Sequence, residues 1–349
     1  MVGNLYNEHR TFSITMKIFF FSTVFSPSVG GIERMTETLC AEFVNLGHDV
    51  RVATLTPGND NFPYPVIRQP GIGKLWQLLQ WCDIHIQANV ALKYVLLRLI
   101  TPSKSIYNHQ NAYQQDDGSR NLLDLLKLAV ARQTCGIANS HYTASRTGAS
   151  HVVLNAYDDG IFYNFIPWEQ RDRDIVFLGR LVSQKGCDTL LESLGQLQSQ
   201  GMKPNLTIVG DGPDRPMLER MSNELGLRDR VLFTGTLQGK SLADLLNRHR
   251  IMVVPSRYEE PFGIVALEGL ACGCIPVVSE RGGLVDAISG HGFTFPNGDA
   301  TALSKVLANV FQAPEAALER LATVETHLNQ CSPHSVAKQY LNIFQQKMR

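Results

Sequence analysis

Apolar, β-rich runs of three to six residues recur along this chain, separated by segments of helical period. That is the signature of a parallel sheet wrapped by helices. In the first half the runs are 18–22, 49–54, 84–87, 105–108, 136–138 and 151–154. Between the first two, Glu33 to Leu46 places Met35, Leu39, Phe43 and Leu46 on one helical stripe, and Gly47 suits the position after a helix end. The second half repeats the pattern with runs at 175–178, 206–209, 231–233, 251–254 and 275–279, and Ser335 to Met348 reads as a closing helix.

The expected class is α/β. At about 150 residues per domain, 349 residues suggest two domains, each able to bury its own core. The break is expected at 166–174, where Pro167 and Trp168 precede a burst of charges. Residues 1–15 carry no apolar periodicity and read as a flexible extension or a start-site artefact. Residues 16–165 then form a first Rossmann-like domain and 175–334 a second, with 335–349 packing back on the first. Two such sheets in tandem bind ligands beyond the carboxyl ends of their strands, in a cleft between them.

Composition narrows the partners. Lys plus Arg equals Asp plus Glu at 32 each, so the excess positive charge of a dedicated nucleic-acid binder is missing. With 44% hydrophobic and 18% charged residues the chain is not disordered. The charge-free run from Ile18 to Ile32 contains Pro27, Gly30 and Gly31, and is too short and broken to span a bilayer. Seven cysteines without a CxxC pair fit a reducing compartment, the cytosol by default.

Three motifs follow strands. Gly30-Gly31-Ile32-Glu33 comes after the first, where paired glycines allow positive φ and let backbone N–H groups approach a phosphate, although a strand-to-helix turn wants glycine in any case. Gly179-Arg180-Leu181-Val182-Ser183-Gln184-Lys185-Gly186 puts two cations in one loop, able to neutralise a diphosphate leaving group without a metal. In Pro255 to Glu268, Pro261 is expected as the first helical residue, with Glu260 at the helix entrance and the free N–H groups beyond it forming an anion site. Glu260 could also simply answer the helix dipole, but Glu268 sits among Ala266, Leu267 and Leu270 and needs a partner.

This ordered set resembles family 4 of the retaining glycosyltransferases, with the two-domain GT-B architecture, over nearly the whole chain from Met16 onward. Glu260 to Glu268 is similar to that family's E-x7-E element and Gly179 to Gly186 to its G-R-x-x-x-x-K-G loop. Gly210-Asp211-Gly212-Pro213, Phe233-Thr234-Gly235, Pro255-Ser256 and Ala271 to Val277 match its run in order. The resemblance implies that Arg180 and Lys185 hold the donor diphosphate, Glu268 the ribose, and Glu260 the transferred sugar. By the same resemblance, amides near Phe262, Gly263 and Ile264 hold the phosphate and sugar, Gly30 and Gly31 form a donor loop, and Leu237 contacts the base. His109 falls where the family often keeps a histidine close to the sugar, although the usual Thr-His-Asp is here Asn108-His109-Gln110. Asn155 stands where Pro-Asn-Gly is common, but between Leu154 and Ala156, and Asp286 stands where Glu is more frequent.

The expected activity is transfer of a hexose-type sugar, with retention, from a nucleotide diphosphate sugar to an acceptor hydroxyl on a glycan or lipid-linked acceptor. The first domain would take the acceptor and the second the nucleotide sugar. No cofactor or metal is required by this scheme. Epimerisation or hydrolysis of the nucleotide sugar, and a catalytically silent binding subunit, remain the alternatives. Ala91 to Ile100 and Asn121 to Arg132 are Leu-rich with basic edges, so they suit either core packing or peripheral contact with the inner face of an anionic membrane. Gly235 to Ser241 falls one residue short of a Walker A loop, and Asp172-Arg173-Asp174 reads as solvated linker rather than a metal motif.

Overall fold

The computed structural model describes residues 15–28, 30–59, 61–95, 104–115 and 118–348. The extension expected at 1–15 lies almost entirely outside the described residues, as does the end of the Leu-rich segment from residue 96 onward.

Residues of the first half form strands β1 (Lys17–Ser22), β2 (Asp49–Thr54), β3 (Val66–Arg68), β4 (Ile84–Ala88), β5 (Ser105–His109), β6 (Cys135–Ala138) and β7 (His151–Val152). They make one parallel sheet in the order β3-β2-β1-β4-β5-β6-β7. Phe20 of β1 lies between Val52 and Ile86, and Phe19, Phe20 and Phe21 are all buried, because helices cover both faces. The covering helices include α1 (Gly31–Asn45), α2 (Ile72–Trp81), α3 (Leu122–Ala131) and the short α4 (His141–Thr147). Gly47, at φ +87°, ends α1, where its N–H reaches Val44 O while that of His48 reaches Phe43 O.

The second half alternates regularly: β8 (Arg173–Leu178), α5 (Cys187–Ser199), β9 (Leu206–Val209), α6 (Arg215–Glu224), β10 (Val231–Gly235), α7 (Gly239–Asn247), β11 (His249–Val254), α8 (Ile264–Ala271), β12 (Ile275–Ser279), α9 (Leu284–Ile288) and β13 (Phe293–Phe295). The sheet order is β10-β9-β8-β11-β12-β13, again parallel. Strand order reverses between β1 and β4 in one sheet and between β8 and β11 in the other, which opens a crevice at the carboxyl ends of each.

Helices α10 (Ala300–Gln312), α11 (Pro314–Glu319) and α12 (Val324–Gln330) lead to α13 (Pro333–Met348). Val336, Tyr340 and Phe344 of α13 join the core of the first sheet, with the Phe344 and Phe43 rings 5.7 Å apart.

Two strands escaped the sequence reading. β3 and β13 are short strands at sheet edges whose residues are mostly only part-buried, so no apolar run marks them. The charged segment at 172–174 is not loose linker: Arg173 and Asp174 open β8, two residues before the expected start. Asp174 accepts hydrogen bonds from Asn205 N at 2.9 Å and Nδ2 at 2.6 Å. Asp172 is an ion-pair partner of Arg248. Arg171 is buried, and its guanidinium donates to the carbonyls of His249 and Cys272, each at 2.7 Å.

Candidate active site

The loop after β8 is held by a glycine that cannot be replaced without moving backbone. Gly186 has φ +66°, and a Cβ there would lie 2.0 Å from the Pro255 carbonyl oxygen. This close approach brings the 179–186 loop against the loop that follows β11. Lys185 Nζ donates to Glu260 Oε1 at 2.9 Å and to Tyr258 OH at 3.3 Å. Burial works against the ammonium, but Glu260 and Tyr258 overcome it and hold its pKa above the ordinary lysine value. The Arg180 side chain is exposed and has no ion-pair partner among the described residues.

Glu260 is buried, takes the Ser256 hydroxyl as a second donor, and its carbonyl accepts from Gly283 N at 2.6 Å. The helix does not begin at Pro261, as the sequence suggested. α8 starts at Ile264, because Gly263 at φ +105° turns the chain first; a Cβ on Gly263 would meet Leu284 Cδ2 at 2.4 Å. The first N–H groups of α8, those of Ile264 and Val265, therefore have no intrahelical acceptor and belong to residues of the cleft wall.

Glu268 lies one turn further along α8 and is 2% exposed. Its partner is Arg34 of α1, whose Nη1 donates to Glu268 Oε1 at 2.7 Å. Burial raises the carboxyl, Arg34 opposes, and the balance leaves its pKa at about 7.

A cavity of about 370 Å³ lies between the two sheets, with Gly31, Gln110, Asn139 and Asn155 on the first-sheet side and Arg180, Lys185, Glu260, Phe262, Gly263 and Ile264 on the other. Gly31 faces the start of α8, since a Cβ on it would be 3.7 Å from Ile264 Cδ1. Neither glycine of the pair uses positive φ: Gly30 is extended at φ −173° and precedes α1 without a side-chain cap. Gly30 instead borders a smaller cavity of about 170 Å³ with Arg34, Glu37 and Gln238.

Like Gly30, Glu268 is not among the residues that line the main cavity, and two further expected residues, Leu237 and His109, do not join it either. Leu237 is half-buried and packs on the apolar cluster around Leu242 and Leu246. His109 ends β5 with no exposed surface, its Nδ1 is 2.8 Å from Tyr113 OH, and its Nε2 is turned toward Gly136 of β6. Side chains alternate along a strand, so the neighbour, Gln110, is the one on the cleft wall. Burial pushes the His109 imidazole down to about 4, so it is neutral at ordinary pH.

Contacts between the sheets that the sequence did not reveal fall on the same loop and on α9. Glu259 accepts from Tyr142 OH at 2.8 Å and Arg146 Nη2 at 2.9 Å. Burial raises the Glu259 carboxyl, but these bonds outweigh it and hold its pKa below the usual value. The Thr143 hydroxyl donates to Pro261 O at 3.1 Å, and Asp286 accepts from His141 N at 2.8 Å. These partners lie 113 or more residues apart, beyond any local signal. Arg34 was the one within reach, since it directly follows Gly30 to Glu33.

Residues 163–322 match the family described as glycosyl transferases group 1. An uncharacterized glycosyltransferase of Methanocaldococcus jannaschii is 35% identical over 149 residues, which is 39% of this chain and 38% of that protein. The phosphatidylinositol N-acetylglucosaminyltransferase gpi3 subunit of Schizosaccharomyces pombe is 25% identical over 83% of this chain and 71% of its own length. Among solved structures, Anabaena HepE in complex with UDP superposes with a TM-score of 0.80 at 18% identity, covering 95% of this chain and all of that one. That likeness concerns the GT-B fold.

Proposed function

We propose that this chain, a GT-B protein that belongs to the group 1 glycosyl transferases through residues 163–322, moves a hexose-type sugar with retention from a nucleotide diphosphate sugar to an acceptor hydroxyl. The observation that carries the reading is the convergence of Arg180, Lys185 and the open start of α8 on one cavity that Glu260 also borders. Two cations and free backbone N–H groups suit a diphosphate, and both interactions strengthen as the leaving group gains charge.

In this mechanism the bond from the anomeric carbon to the diphosphate oxygen breaks and leaves positive charge on the sugar carbon. The acceptor oxygen bonds to the same face, and its proton passes to the departing phosphate oxygen. Glu260, already holding Lys185, orients the sugar rather than attacking it. Glu268 takes the ribose hydroxyls, exchanging Arg34 for them at one oxygen or sharing the carboxylate with it. No divalent metal has a step in this scheme. HepE is in complex with UDP, so uridine diphosphate sugars are the first donors to try.

The acceptor we infer is a glycan or a lipid-linked saccharide, met in the cytoplasm at the inner membrane face. Leu122, Leu123, Leu125 and Leu126 of α3 are all exposed, with Lys127 beside them. An apolar helix face edged by basic residues suits peripheral contact with anionic lipid. No helix among the described residues is long and apolar enough to cross a membrane. The experiment is incubation with UDP-, GDP- and ADP-sugars and a lipid-linked acceptor extract, reading the anomeric configuration of the product by NMR. A product with the donor's configuration supports retention; an inverted one, or an epimerised or hydrolysed donor without transfer, contradicts the reading.

A further inference from the structure

The first-sheet wall of the cavity is built from neutral amides at the carboxyl ends of three successive strands. Gln110 follows β5, Asn139 follows β6 and Asn155 lies just past β7. They are 6%, 2% and 3% exposed, and all three belong to the cavity wall. Behind them runs a directed chain of hydrogen bonds. Tyr340 OH donates to Asn108 Oδ1 at 2.9 Å, and Gln110 Nε2 donates to the same oxygen at 2.9 Å. Gln110 Oε1 then accepts from Asn155 Nδ2 at 2.9 Å and from Asn139 Nδ2 at 3.3 Å. Gln110 is also pinned through its backbone, whose N–H donates to Asn89 Oδ1 at 2.8 Å.

This chain satisfies one end of each outer amide and leaves the other. Asn139 Oδ1 and Asn155 Oδ1 are buried and have no hydrogen-bond partner among the described residues. Reversing every amide would not remove the surplus; it would transfer it from the oxygen to the NH2 group of the same two residues. Buried polar groups left unmade are destabilising, so two of them on residues of one cavity wall call for a ligand that completes them. The charged groups of the cavity, Arg180, Lys185 and Glu260, all come from the second sheet, and these three amides carry no charge. A hydroxyl both donates and accepts, so it matches either orientation of an amide end, whereas a phosphate or carboxylate only accepts.

We infer that Asn139 and Asn155, oriented by Gln110, are a hydroxyl-reading pair that binds hydroxyls of a sugar in the cleft and sets which sugar is accepted. The inference rests on the nucleotide-sugar reading above for the presence of a sugar there, and it goes beyond that reading in naming neutral first-sheet amides as the specificity element. The same chemistry would serve the transferred sugar or an acceptor sugar.

The test is calorimetric titration of the wild type, Asn139→Leu and Asn155→Leu with UDP, GDP and ADP, with the corresponding nucleotide sugars, and with methyl glycosides of glucose, galactose, mannose and N-acetylglucosamine. The glycosides are titrated with and without a saturating nucleoside diphosphate. Each Leu variant should bind the nucleoside diphosphate within about twofold of wild type and lose at least about tenfold in affinity for the sugar-bearing ligand. Loss confined to nucleotide sugars assigns the pair to the transferred sugar; loss confined to methyl glycosides assigns it to the acceptor. Should a Leu variant fail to fold, Asn139→Ser and Asn155→Ser, which remove the outer amide ends and leave room for water, are read the same way. Unchanged sugar affinity in both variants overturns the inference, as does an equal loss of nucleoside diphosphate and sugar, which would make the amides scaffold only. A wild type that binds a glycoside and no nucleotide sinks the donor reading instead, and loss of that glycoside in the variants would still uphold the hydroxyl pair.

Discussion

Arg34 and Glu268 meet across the cleft from positions 234 residues apart, with Nη1 2.7 Å from Oε1. The arginine is half-exposed on α1 and the carboxylate buried on α8, so the pair ties the first sheet to the element expected to hold the ribose. Burial keeps the Glu268 carboxyl at about 7, above the ordinary 4.5, despite its partner.

A stability signature follows from that shift. Between pH 4.5 and about 7 the folded protein keeps a proton on Glu268 that the unfolded chain has released. The folded state therefore binds more protons, and stability falls as pH rises through this window. The contribution is fully present below 4.5 and lost above about 7. Urea midpoints of wild type and Glu268→Gln at pH values near 5 and 8 measure it. Wild type should lose on the order of 1 kcal/mol or more relative to the variant over that interval. Equal slopes would show that the carboxyl is not raised.

Arg180 and Lys185 should separate stability from binding. Arg180→Ala removes an exposed side chain with no ion-pair partner among the described residues, so stability should stay within about 0.5 kcal/mol while nucleoside diphosphate affinity falls roughly tenfold or more. Lys185→Ala also strands the buried Glu260 carboxylate and should cost about 1–3 kcal/mol of stability in addition. Chemical denaturation and calorimetry on the same samples distinguish the two. Normal binding by Arg180→Ala would remove it from the diphosphate site.

Gly186 and Gly47 both have positive φ, but only one is crowded. At Gly47 a Cβ meets nothing within 4 Å, whereas at Gly186 it meets backbone at 2.0 Å. Gly47→Ala should cost about 1 kcal/mol from strain alone, and Gly186→Ala clearly more because the 255 loop must move. Thermal midpoints rank them, and Gly186→Ala should also weaken nucleotide binding. Equal midpoints would mean the loops part without penalty.

The exposed leucines of α3 can be tested on vesicles. Wild type should co-sediment with anionic phospholipid vesicles, less so at high salt, and the double change Leu122→Ser with Leu126→Ser should abolish the association without lowering the unfolding midpoint. Equal sedimentation of both proteins would remove α3 from the contact.

The central strands were readable because they are buried on both faces: 206–209 and 275–279 came out with their observed limits, and β1 within one residue. β3 and β13 were not, since they lie at sheet edges, are mostly part-buried, and have their place set by pairing with β2 and β12. Proline pointed to a helix start at residue 261, yet Gly263 supplies the turn, and only tertiary contact with Leu284 explains why glycine is needed there. Arg180, Lys185 and Glu260, expected because their loops carry a motif after a strand, all line the cavity. Strand alternation sends Gln110 to the cleft and the His109 imidazole inside. Tyr142, Arg146 and Asn139 had no sequence signal, and Gln110 and Asn155 stood out only by position, because each matters only once distant segments are brought together.

The central claim is that this cleft holds a nucleotide diphosphate sugar with Glu268 on its ribose. Its most direct measurement is thermal unfolding of wild type and Glu268→Ala against UDP, GDP, ADP and their sugars, with a metal chelator present. A ligand at about 100 times its Kd adds ~2.7 kcal/mol of stability, enough to raise the midpoint visibly. The account predicts stabilisation of the wild type by one nucleoside diphosphate, retained in chelator and lost in Glu268→Ala. Stabilisation by no nucleotide in a folded wild type, or by the same nucleotide equally in both proteins, would contradict it.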